Sequence, residues 1–435
     1  MKFYSTRDKN RPFSLREATL QSLPDDGGLF MPEFIPVLDA GSLVGMASGS
    51  LADIAVQTAP LLLGNDIPGP VVENICRDAF DFDVPLVNLG VDLQVLELFH
   101  GPTLAFKDFG ARFLARLLQW LVRGDNRPVT ILVATSGDTG GAVAAGFRAV
   151  EGVEVLILYP AGKVSPLQEK QLTTYGGNIH AYAINGSFDD CQRLVKMAFS
   201  DRELAASFRF ASANSINIGR LIPQVFYYLY ASTRAETAGK PLAVSVPSGN
   251  FGNLCAGLMA LRMGAPVSRF IAATNVNDTV PKYLQTGHFE PKPSVPTISN
   301  AMDVGNPGNF ERILHLFEGK PEHLKQTVCG HSFSDDATRL AIREVFDRQA
   351  YILDPHGAVA FLGWTAFAVE NPGFRGIVLE TAHPAKFAEV VEPVIGQTLQ
   401  PPPSFALLQQ KTSVSITLSA DFDSFKTHLL DRKNL

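Results

Sequence analysis

Short apolar segments rich in β-branched residues alternate with helical segments over most of the chain. The strands predicted in this way are Val129–Thr135, Val153–Tyr159, Ile179–Ile184, Leu242–Val246, Phe270–Thr274 and Gly376–Thr381. Helices are predicted at Asp108–Arg123, Ala142–Val150, Asp189–Phe199 and Leu254–Met263. Strands that alternate with helices form parallel sheets with right-handed crossovers, and the helices cover both faces. The predicted fold class is therefore α/β.

Length and composition limit the class of protein. A chain of 435 residues with 46% hydrophobic and 18% charged residues is long enough for two or three domains with large cores. Its formal net charge of −6 does not favour a nucleic-acid or membrane partner. The four cysteines form no CxxC pair, and no run of about 18 apolar residues could cross a membrane. We expect a cytoplasmic protein, and nothing in the sequence indicates an obligate protein partner.

The pattern changes twice along the chain, which predicts three parts. These are a mostly helical region at 1–90, a core of two α/β subdomains at 91–400 and an extension at 401–435. Three prolines at 401–403 break the chain before the extension. Apolar and hydroxyl residues then alternate at 413–418, which predicts a half-exposed strand, and a short helix is predicted at 423–431. The extension is expected to cap the second domain.

A glycine-rich loop, Ser248-Gly-Asn-Phe-Gly-Asn253, lies between a predicted strand and a predicted helix. Such a loop can direct several backbone N–H groups and the positive end of the helix at a phosphate. It is neither a Walker loop nor a dinucleotide GxGxxG motif. A tight strand–helix turn that needs glycine explains the loop equally well. If it binds phosphate, Gly249 and Gly252 should come nearest to it or adopt a positive φ.

A second loop of the same kind, Ser136-Gly-Asp-Thr-Gly-Gly141, follows the strand at 129–135. The hydroxyl groups of Thr135, Ser136 and Thr139 beside a helix N-terminus suit a carboxylate or phosphate, although a simple helix cap would look the same. Two such loops at the carboxyl ends of strands favour a binding crevice.

Lys107 follows an apolar segment, His100-Gly-Pro-Thr-Leu-Ala-Phe106, at the start of a predicted helix. Apolar surroundings and a positive helix end favour the uncharged amine, which a Schiff-base nucleophile requires. A single lysine is more often a solvated surface charge. Lys107 becomes a candidate only together with the two glycine loops.

The lysine segment followed by SGDTGG and SGNFGN resembles the fold-type II pyridoxal-phosphate enzymes, the tryptophan synthase β family. Further segments that resemble this family stand in the same order along the chain: Tyr4–Arg7, Pro24–Pro32, Asn214–Arg220, Ser299–Pro307 and Thr381–Lys386. The resemblance implies two α/β domains with mainly parallel sheets and the cofactor between them. It also implies a lyase with pyridoxal 5'-phosphate as its cofactor and no metal.

The resemblance assigns roles to individual residues. Lys107 matches the lysine that bonds covalently to the cofactor, and Thr381 matches the hydroxyl residue at the pyridine nitrogen. The phosphate cup corresponds to Ser248, Gly249, Asn250, Phe251, Gly252 and Asn253. The residues that match the substrate carboxylate loop are Thr135, Ser136 and Thr139. Asp138 matches the position that faces the cofactor's 3′ oxygen, where many members have asparagine. An aspartate there would repel a phenolate unless one of the two is protonated.

The activity that the resemblance implies is release of phosphate from O-phospho-L-homoserine and addition of water to give L-threonine. Ser215 and Arg220 lie in the segment that resembles a site for the substrate phosphate, and an arginine fork suits phosphate. An ordinary surface ion pair would explain Arg220 as well.

Three other functions compete with this interpretation. A serine or threonine dehydratase of the same fold would need no second phosphate site, so Ser215 and Arg220 would discriminate. A non-catalytic homologue would be expected to lose Lys107. A nucleotide-binding module lacks support because neither a Walker lysine nor an acidic ribose ligand is present.

Several polar residues outside these motifs are interpreted as ordinary structural residues. His323, Cys329 and His331 lack the ligand spacing of a known zinc site. Nothing makes His100 or His383 a catalytic base. Asp303 and Asn306 are expected to shape a loop near the site.

Overall fold

The structure is a computed structural model that describes residues 1–433 other than 404, 406, 407 and 409. Its strands are β1 (Phe3–Ser5), β2 (Phe30–Pro32), β3 (Leu86–Asn88), β4 (Leu93–Glu97), β5 (Val129–Ala134), β6 (Val153–Pro160), β7 (Ile179–Asn185), β8 (Arg209–Ala211), β9 (Leu242–Pro247), β10 (Arg269–Thr274), β11 (Val328–Ser332), β12 (Arg375–Glu380) and β13 (Ile416–Ser419). A six-stranded sheet has the order β11-β10-β9-β12-β4-β3, and a five-stranded sheet has the order β13-β7-β6-β5-β8. Strands β1 and β2 form a small antiparallel pair.

Helices cover both faces of the two larger sheets. The α-helices are α1 (Leu15–Gln21), α2 (Ala40–Met46), α3 (Leu51–Leu63), α4 (Gly69–Ala79), α5 (Lys107–Val122), α6 (Asp138–Phe147), α7 (Pro166–Thr173), α8 (Phe188–Ser200), α9 (Arg202–Ser207), α10 (Ile218–Leu221), α11 (Gln224–Arg234), α12 (Gly252–Arg262), α13 (Thr279–Thr286), α14 (Phe310–Leu316), α15 (Pro321–Thr327), α16 (Asp335–Gln349), α17 (Pro355–Glu370), α18 (Ala388–Ile395) and α19 (Phe422–Lys433). Short 3₁₀ turns lie at Asn300–Met302 and Pro384–Phe387.

The larger sheets are almost wholly parallel, as the sequence predicted. All pairs in the five-stranded sheet are parallel, and in the six-stranded sheet only β3 runs antiparallel to its neighbour. Every residue of β5 and β9 is buried, because helices cover the sheet on each side. Each of the six predicted strands is present, with its ends within one residue of the prediction.

Two helices begin two or more residues earlier than predicted, and both follow a glycine loop. Helix α6 begins at Asp138 rather than Ala142, because Thr135 Oγ1 accepts hydrogen bonds from the backbone N–H groups of Gly137 (3.0 Å) and Gly140 (2.8 Å). Helix α12 begins at Gly252 rather than Leu254. The glycine loops are therefore shorter than predicted, and their last residues already belong to the first turn of a helix.

The two ends of the chain pack onto the larger sheets. Strand β3 forms a hairpin with β4, so the first ninety residues supply an edge of the six-stranded sheet. In the extension, β13 pairs in parallel with β7 of the five-stranded sheet, and its side chains are mostly exposed. Phe425 and Leu429 of α19 are buried against α8.

The topology brings the predicted site segments to one place. Strands β9, β12 and β4 are neighbours in the six-stranded sheet. At their carboxyl ends lie the Ser248 loop, Thr381 and the segment that leads to Lys107. Thr135 and Ser136 follow the carboxyl end of β5 in the other sheet. Ligands of open α/β sheets bind at this end of the strands.

Candidate active site

Loops from both larger sheets surround a cavity of about 390 Å³, which is within the roughly 300–1,000 Å³ of small-molecule sites. The predicted site residues that line it are Lys107, Thr135, Ser136, Thr139, Ser215, Arg220, Ser248, Gly249, Asn250, Phe251, Gly252, Asn253 and Thr381. Asp138 lies behind the wall, with its Oδ2 atom 3.7 Å from Lys107 Nζ. The structure thus brings all the predicted site residues together.

Lys107 is the first residue of α5, and its side chain reaches the cavity. The isolated bridge between Ala105 and Ala382 and the hydrogen bond from Phe106 N to Thr381 O (2.9 Å) fix the segment before it. Burial lowers the pKa of the Lys107 amine, although the Asp138 carboxylate opposes the shift. Lys107 is therefore predisposed to the uncharged form that attacks a carbonyl group.

Asp138 is buried, and two polar side chains hold its carboxylate. Lys386 Nζ is 2.6 Å from its Oδ1 atom, and Gln168 Nε2 donates a hydrogen bond of 3.0 Å to the same atom. Burial alone raises the pKa of Asp138, but the positive charges of Lys386 and Lys107 bring it below its ordinary value. Asp138 is therefore a carboxylate whose charge is balanced inside the protein.

The Ser248–Asn253 loop presents polar donors to the cavity. Phe251, the residue before α12, is left-handed (φ 60°), and within the described part of the chain no side chain caps this helix. The left-handed residue is Phe251, and neither Gly249 nor Gly252 has a positive φ. That these two glycines come nearest to a bound phosphate stays a prediction. Asn253 Oδ1 accepts hydrogen bonds from Tyr227 (2.6 Å) and Tyr228 (2.7 Å).

A buried donor of this loop is free to bind an anion in the cavity. Asn253 Nδ2 has no hydrogen-bond acceptor among the residues that the structure describes. The first two residues of α12, Gly252 and Asn253, line the same cavity, and the positive end of a helix favours negative charge there. Asn250 joins the loop to the rest of the site, because its Nδ2 donates to Ser215 Oγ (2.7 Å) and its Oδ1 accepts from Gly308 N (2.6 Å).

Gly252 and Gly249 differ in what an added side chain would meet. A Cβ atom on Gly252 would come no closer than 3.3 Å to Asn309 Nδ2, whereas one on Gly249 would lie 2.8 Å from backbone atoms of Ala301 and Met302. We expect Gly252→Val to weaken cofactor binding tenfold or more, about 1.4 kcal/mol, because its side chain would crowd Asn309 and Ser215 beside the first turn of α12. The melting temperature of its apo form should change little.

Gly249→Ala is the matched control for that experiment. It should destabilise the apo protein by about 1–3 kcal/mol, because the backbone that its methyl group meets cannot move away cheaply. Cofactor titration and thermal unfolding of both variants provide the measurement. A large loss of apo stability in Gly252→Val with unchanged cofactor affinity would show that the loop is only a tight turn.

Arg220 is buried in the wall of the cavity, with 3% of its surface exposed. Its Nη1 donates to Ala213 O, and its Nε has no acceptor among the described residues. No acidic side chain in the described part of the chain lies within ion-pair distance of it. The surface ion pair that the sequence left open is therefore wrong, and burial lowers the Arg220 pKa to about 10.

Ser215 lies at the same wall of the cavity. Its Oγ accepts hydrogen bonds from Asn250 Nδ2 (2.7 Å) and Asn309 Nδ2 (3.4 Å), so its own hydroxyl hydrogen remains available to a ligand. Arg312 connects the Ser215 segment to the residues around Phe30. Its guanidinium donates hydrogen bonds to the carbonyl oxygen of Ile216 (2.7 Å) and to that of Phe30 (3.0 Å). The segment Pro24–Pro32 thus supports the site without lining it.

Three polar residues around the cavity were not predicted from the sequence. Lys386 is the last residue of a segment that resembles the family, and it lies six residues after the end of β12. Arg312 carried no motif signal. His356 lines the cavity, its Nδ1 is 2.5 Å from Asp354 Oδ1, and its Nε2 accepts from Ala301 N (3.2 Å). The Asp-Pro-His spacing at the start of α17 was the available signal.

Two of the remaining polar candidates, His100 and Asp303, have structural partners. His100 pairs with Glu97 (2.6 Å), and Asp303 accepts from Thr297 Oγ1 (2.7 Å) and Asn275 Nδ2 (2.9 Å) within the loop that lines the cavity. Among the described residues, His, Cys, Asp and Glu form no group of three or more that could hold a metal ion. In the same part of the chain, no helix is long and apolar enough to span a membrane.

His383 provides a pH-dependent contribution to stability. Burial and, to a smaller extent, the neighbouring His100 lower its pKa from 6.5 to about 4. Because the folded pKa is depressed, this contribution is complete above pH 6.5 and is lost as the pH falls through 4. We expect the free energy of unfolding in urea to fall between pH 7 and 4.5 by about 2 kcal/mol more in the wild type than in His383→Asn. Equal losses in the two proteins would contradict this assignment.

The residues present fit pyridoxal phosphate. The cavity contains a buried amine of lowered pKa, a helix start without a side-chain cap and an unpartnered amide donor beside it, all within the described residues. An aldehyde that carries a phosphate group needs these elements. Thr381 offers a neutral hydroxyl group, which suits a pyridine nitrogen that stays unprotonated.

The two sheets and the cavity between them define a fold-type II pyridoxal-phosphate-dependent enzyme. Residues 85–373 match the family described as pyridoxal-phosphate dependent enzyme. Residues 2–80 match the threonine synthase N terminus, and residues 358–429 match the threonine synthase C-terminal family. The chain belongs to the threonine synthase family.

Individual relatives agree over the full length. The threonine synthase of Escherichia coli K12 is 45% identical over 434 residues, which cover 100% of both chains. The crystal structure of the E. coli enzyme superposes with a TM-score of 0.92 over 99% of this chain and 100% of the other, at 44% identity. The PLP-bound threonine synthase of Brucella melitensis superposes with a TM-score of 0.94 over 100% of both chains, at 33% identity. Pyridoxal phosphate is therefore the cofactor.

Proposed function

We propose that the cavity converts O-phospho-L-homoserine and water to L-threonine and phosphate. The observation that carries this proposal is Arg220, a buried guanidinium in the cavity wall without an acidic partner among the described residues. An unpaired buried charge is costly and is retained where a ligand supplies the counter-charge. The cofactor phosphate already has the α12 start, so Arg220 is left for the substrate phosphate.

The residues that would hold the cofactor follow the ends of four strands, β4, β5, β9 and β12. The loop residues Gly249 to Asn253 would take its phosphate, Lys107 would bond to its aldehyde carbon, and Thr381 would meet its ring nitrogen. Asp138, which lies behind Lys107, would be on the side of its 3′ oxygen, and Lys386 balances the charge of Asp138. When bound, pyridoxal phosphate supplies an electron sink for the negative charge that forms at the substrate α and β carbons.

The substrate is held at both of its ends. Arg220 and Ser215 bind the phosphate group, the former through its planar fork and the latter through its hydroxyl group. Thr135, Ser136 and Thr139 take the α-carboxylate together with the N–H groups at the start of α6. This placement holds the α, β and γ carbons between the two anion sites, beside Lys107.

Lys107 moves the protons of the reaction. Its amine lines the cavity in which the substrate would bind, and burial lowers its pKa, which favours the uncharged form that can accept a proton and return it. Removal of an α and a β proton allows the γ carbon–oxygen bond to break, and the phosphate leaves with one proton as the hydrogen-phosphate dianion. A second proton adds at the γ carbon. The hydroxyl group of water then adds at the β carbon, and the remaining proton of that water is returned to the α carbon. Arg220 keeps the released phosphate in place while water adds.

Two further properties are part of the proposal. All four cysteines are free thiols, which fits a reducing compartment, and we place the enzyme in the cytoplasm. We also propose that it works without an obligate protein partner, since every predicted site residue comes from this one chain.

The proposal is tested with the wild-type enzyme and three substrates. Phosphate and threonine should form in equal amounts from O-phospho-L-homoserine, and serine or threonine should give little keto acid. The reverse result, keto acid from serine or threonine and no phosphate from phosphohomoserine, would establish the dehydratase. Pyridoxal phosphate that binds without turnover of any of the three would favour the non-catalytic homologue.

A further inference from the structure

Lys386 is a buried lysine that the proposed chemistry does not use directly. It lies in the 3₁₀ turn Pro384–Phe387 after β12, and its side chain is fully buried. Its ammonium group donates to Thr103 O (2.9 Å) and lies 2.6 Å from Asp138 Oδ1. A fully buried ammonium is costly, so its position beside Asp138 needs an explanation beyond packing.

Asp138 is shared unequally between two lysines. Its Oδ1 atom faces Lys386 at 2.6 Å, whereas its Oδ2 atom faces Lys107 at 3.7 Å. The carboxylate therefore forms its short ion pair with Lys386 and only a long contact with Lys107. Gln168 donates to Oδ1 as well (3.0 Å), which holds the carboxylate on the Lys386 side.

We propose that Lys386 is a positioning residue whose ammonium group binds Asp138 and thereby leaves the amine of Lys107 uncharged and free to bond to the cofactor. This inference rests on the proposed role of Lys107. Without Lys386, Asp138 would be a counter-ion for Lys107 alone and would stabilise its charged form. Lys386 thus supplies the positive charge that pairs with Asp138, so that Asp138 does not hold Lys107 in its charged form.

The charged groups around Lys107 agree with this arrangement. Asp138 faces it from α6, Lys386 from the turn after β12 and Arg220 from α10. Both cations disfavour the ammonium form of Lys107, and Asp138 favours it. Asp108, on the same helix as Lys107, is directed elsewhere, because its carboxylate accepts from Thr103 N (2.9 Å) and Thr103 Oγ1 (2.7 Å).

The test measures how fast Lys107 captures pyridoxal phosphate at different pH values. Full-length protein is stripped of cofactor, mixed with pyridoxal phosphate for a short time and reduced with borohydride. Capture joins the amine to the aldehyde carbon with loss of water, and reduction makes the bond permanent. Peptide mapping then gives the labelled fraction of Lys107 at each pH. The midpoint of the pH curve reports the charge state of the amine.

Lys386→Met should move this midpoint up by about one to two pH units and slow capture at pH 7 roughly ten- to hundredfold. Asp138→Asn should move it down. Lys386→Arg should stay near the wild type because the positive charge is kept. Lys426→Met is the matched control. Lys426 lies in α19 and forms ion pairs with Asp201 and Glu203 (both 2.9 Å), and none of these three residues lines the cavity. The midpoint of this variant should not move.

The double variant Lys386→Met/Asp138→Asn separates charge from structure. If Lys386 acts through Asp138, loss of both charges should bring the midpoint back to the wild-type value or below. A double variant as slow as Lys386→Met would show that Lys386 only supports the fold, and an unchanged midpoint in Lys386→Met would also overturn the inference. If Lys386→Met does not fold, Asp138→Asn provides the test instead. An unchanged midpoint in Asp138→Asn would then overturn the inference. Wild-type protein that is labelled elsewhere than at Lys107 would instead refute the proposed function.

Discussion

Lys107→Ala should lose activity roughly 10³-fold or more, because the covalent bond to the cofactor and the proton transfers disappear together. The variant should still bind pyridoxal phosphate, since the loop 249–253 and its helix start are untouched. Turnover of O-phospho-L-homoserine, cofactor titration and peptide mapping after borohydride reduction provide the measurement. The borohydride label should be on Lys107 in the wild type and absent from this peptide in the variant.

Small primary amines give a control for that experiment. If the amine is the only group lost, an added amine that fits the cavity should restore part of the activity of Lys107→Ala. Melting temperatures of the apo proteins show whether the variant is folded. Normal turnover by a folded Lys107→Ala protein would contradict the assignment of Lys107.

Arg220→Ala should lower kcat/KM for O-phospho-L-homoserine by roughly two to four orders of magnitude, mostly through KM. This is the effect of losing a charge-assisted phosphate contact worth about 2–5 kcal/mol. Arg220→Lys should recover only part, because a single ammonium cannot replace a planar fork. Cofactor absorbance should hardly change in either variant. Initial-rate kinetics of the three proteins provide the measurement.

Stability distinguishes a functional Arg220 from a structural one. Its guanidinium is buried without an acidic partner in the described part of the chain, so Arg220→Met should be no less stable than the wild type. Inorganic phosphate should inhibit the wild type competitively and raise its melting temperature, and both effects should be much smaller in Arg220→Ala. A fully active Arg220→Ala enzyme would place the substrate phosphate elsewhere.

The sequence predicted the sheets well because burial on both faces leaves a clear signal. Strands such as β5 and β9 are covered by helices on each side, so their residues are mostly apolar, with only Thr130 and Ser245 as polar members. The two early helix starts had no such signal. They depend on a backbone turn, organised at α6 by Thr135 Oγ1, that composition does not reveal.

The parts of the site that carry sequence motifs could be predicted. The lysine segment and both glycine loops lie at strand ends, and the topology brings those ends together. Charge balance was not predictable, because Lys386 and Asp138 are far apart in the sequence and meet only in the fold. The lack of an acidic partner for Arg220 among the described residues could not be predicted either, because a sequence does not show which residues will lie near an arginine.

We infer that one cavity holds two separate anion sites, one for the cofactor phosphate and one for the substrate phosphate. The most direct test is a crystal structure with pyridoxal phosphate and the phosphonate analogue of the substrate, in which a methylene group replaces the bridging oxygen. The cofactor phosphate should lie against the N–H groups of residues 249–253, and the phosphonate should contact Arg220 and Ser215. A phosphonate bound away from Arg220, or a cofactor phosphate bound to Arg220, would contradict this account.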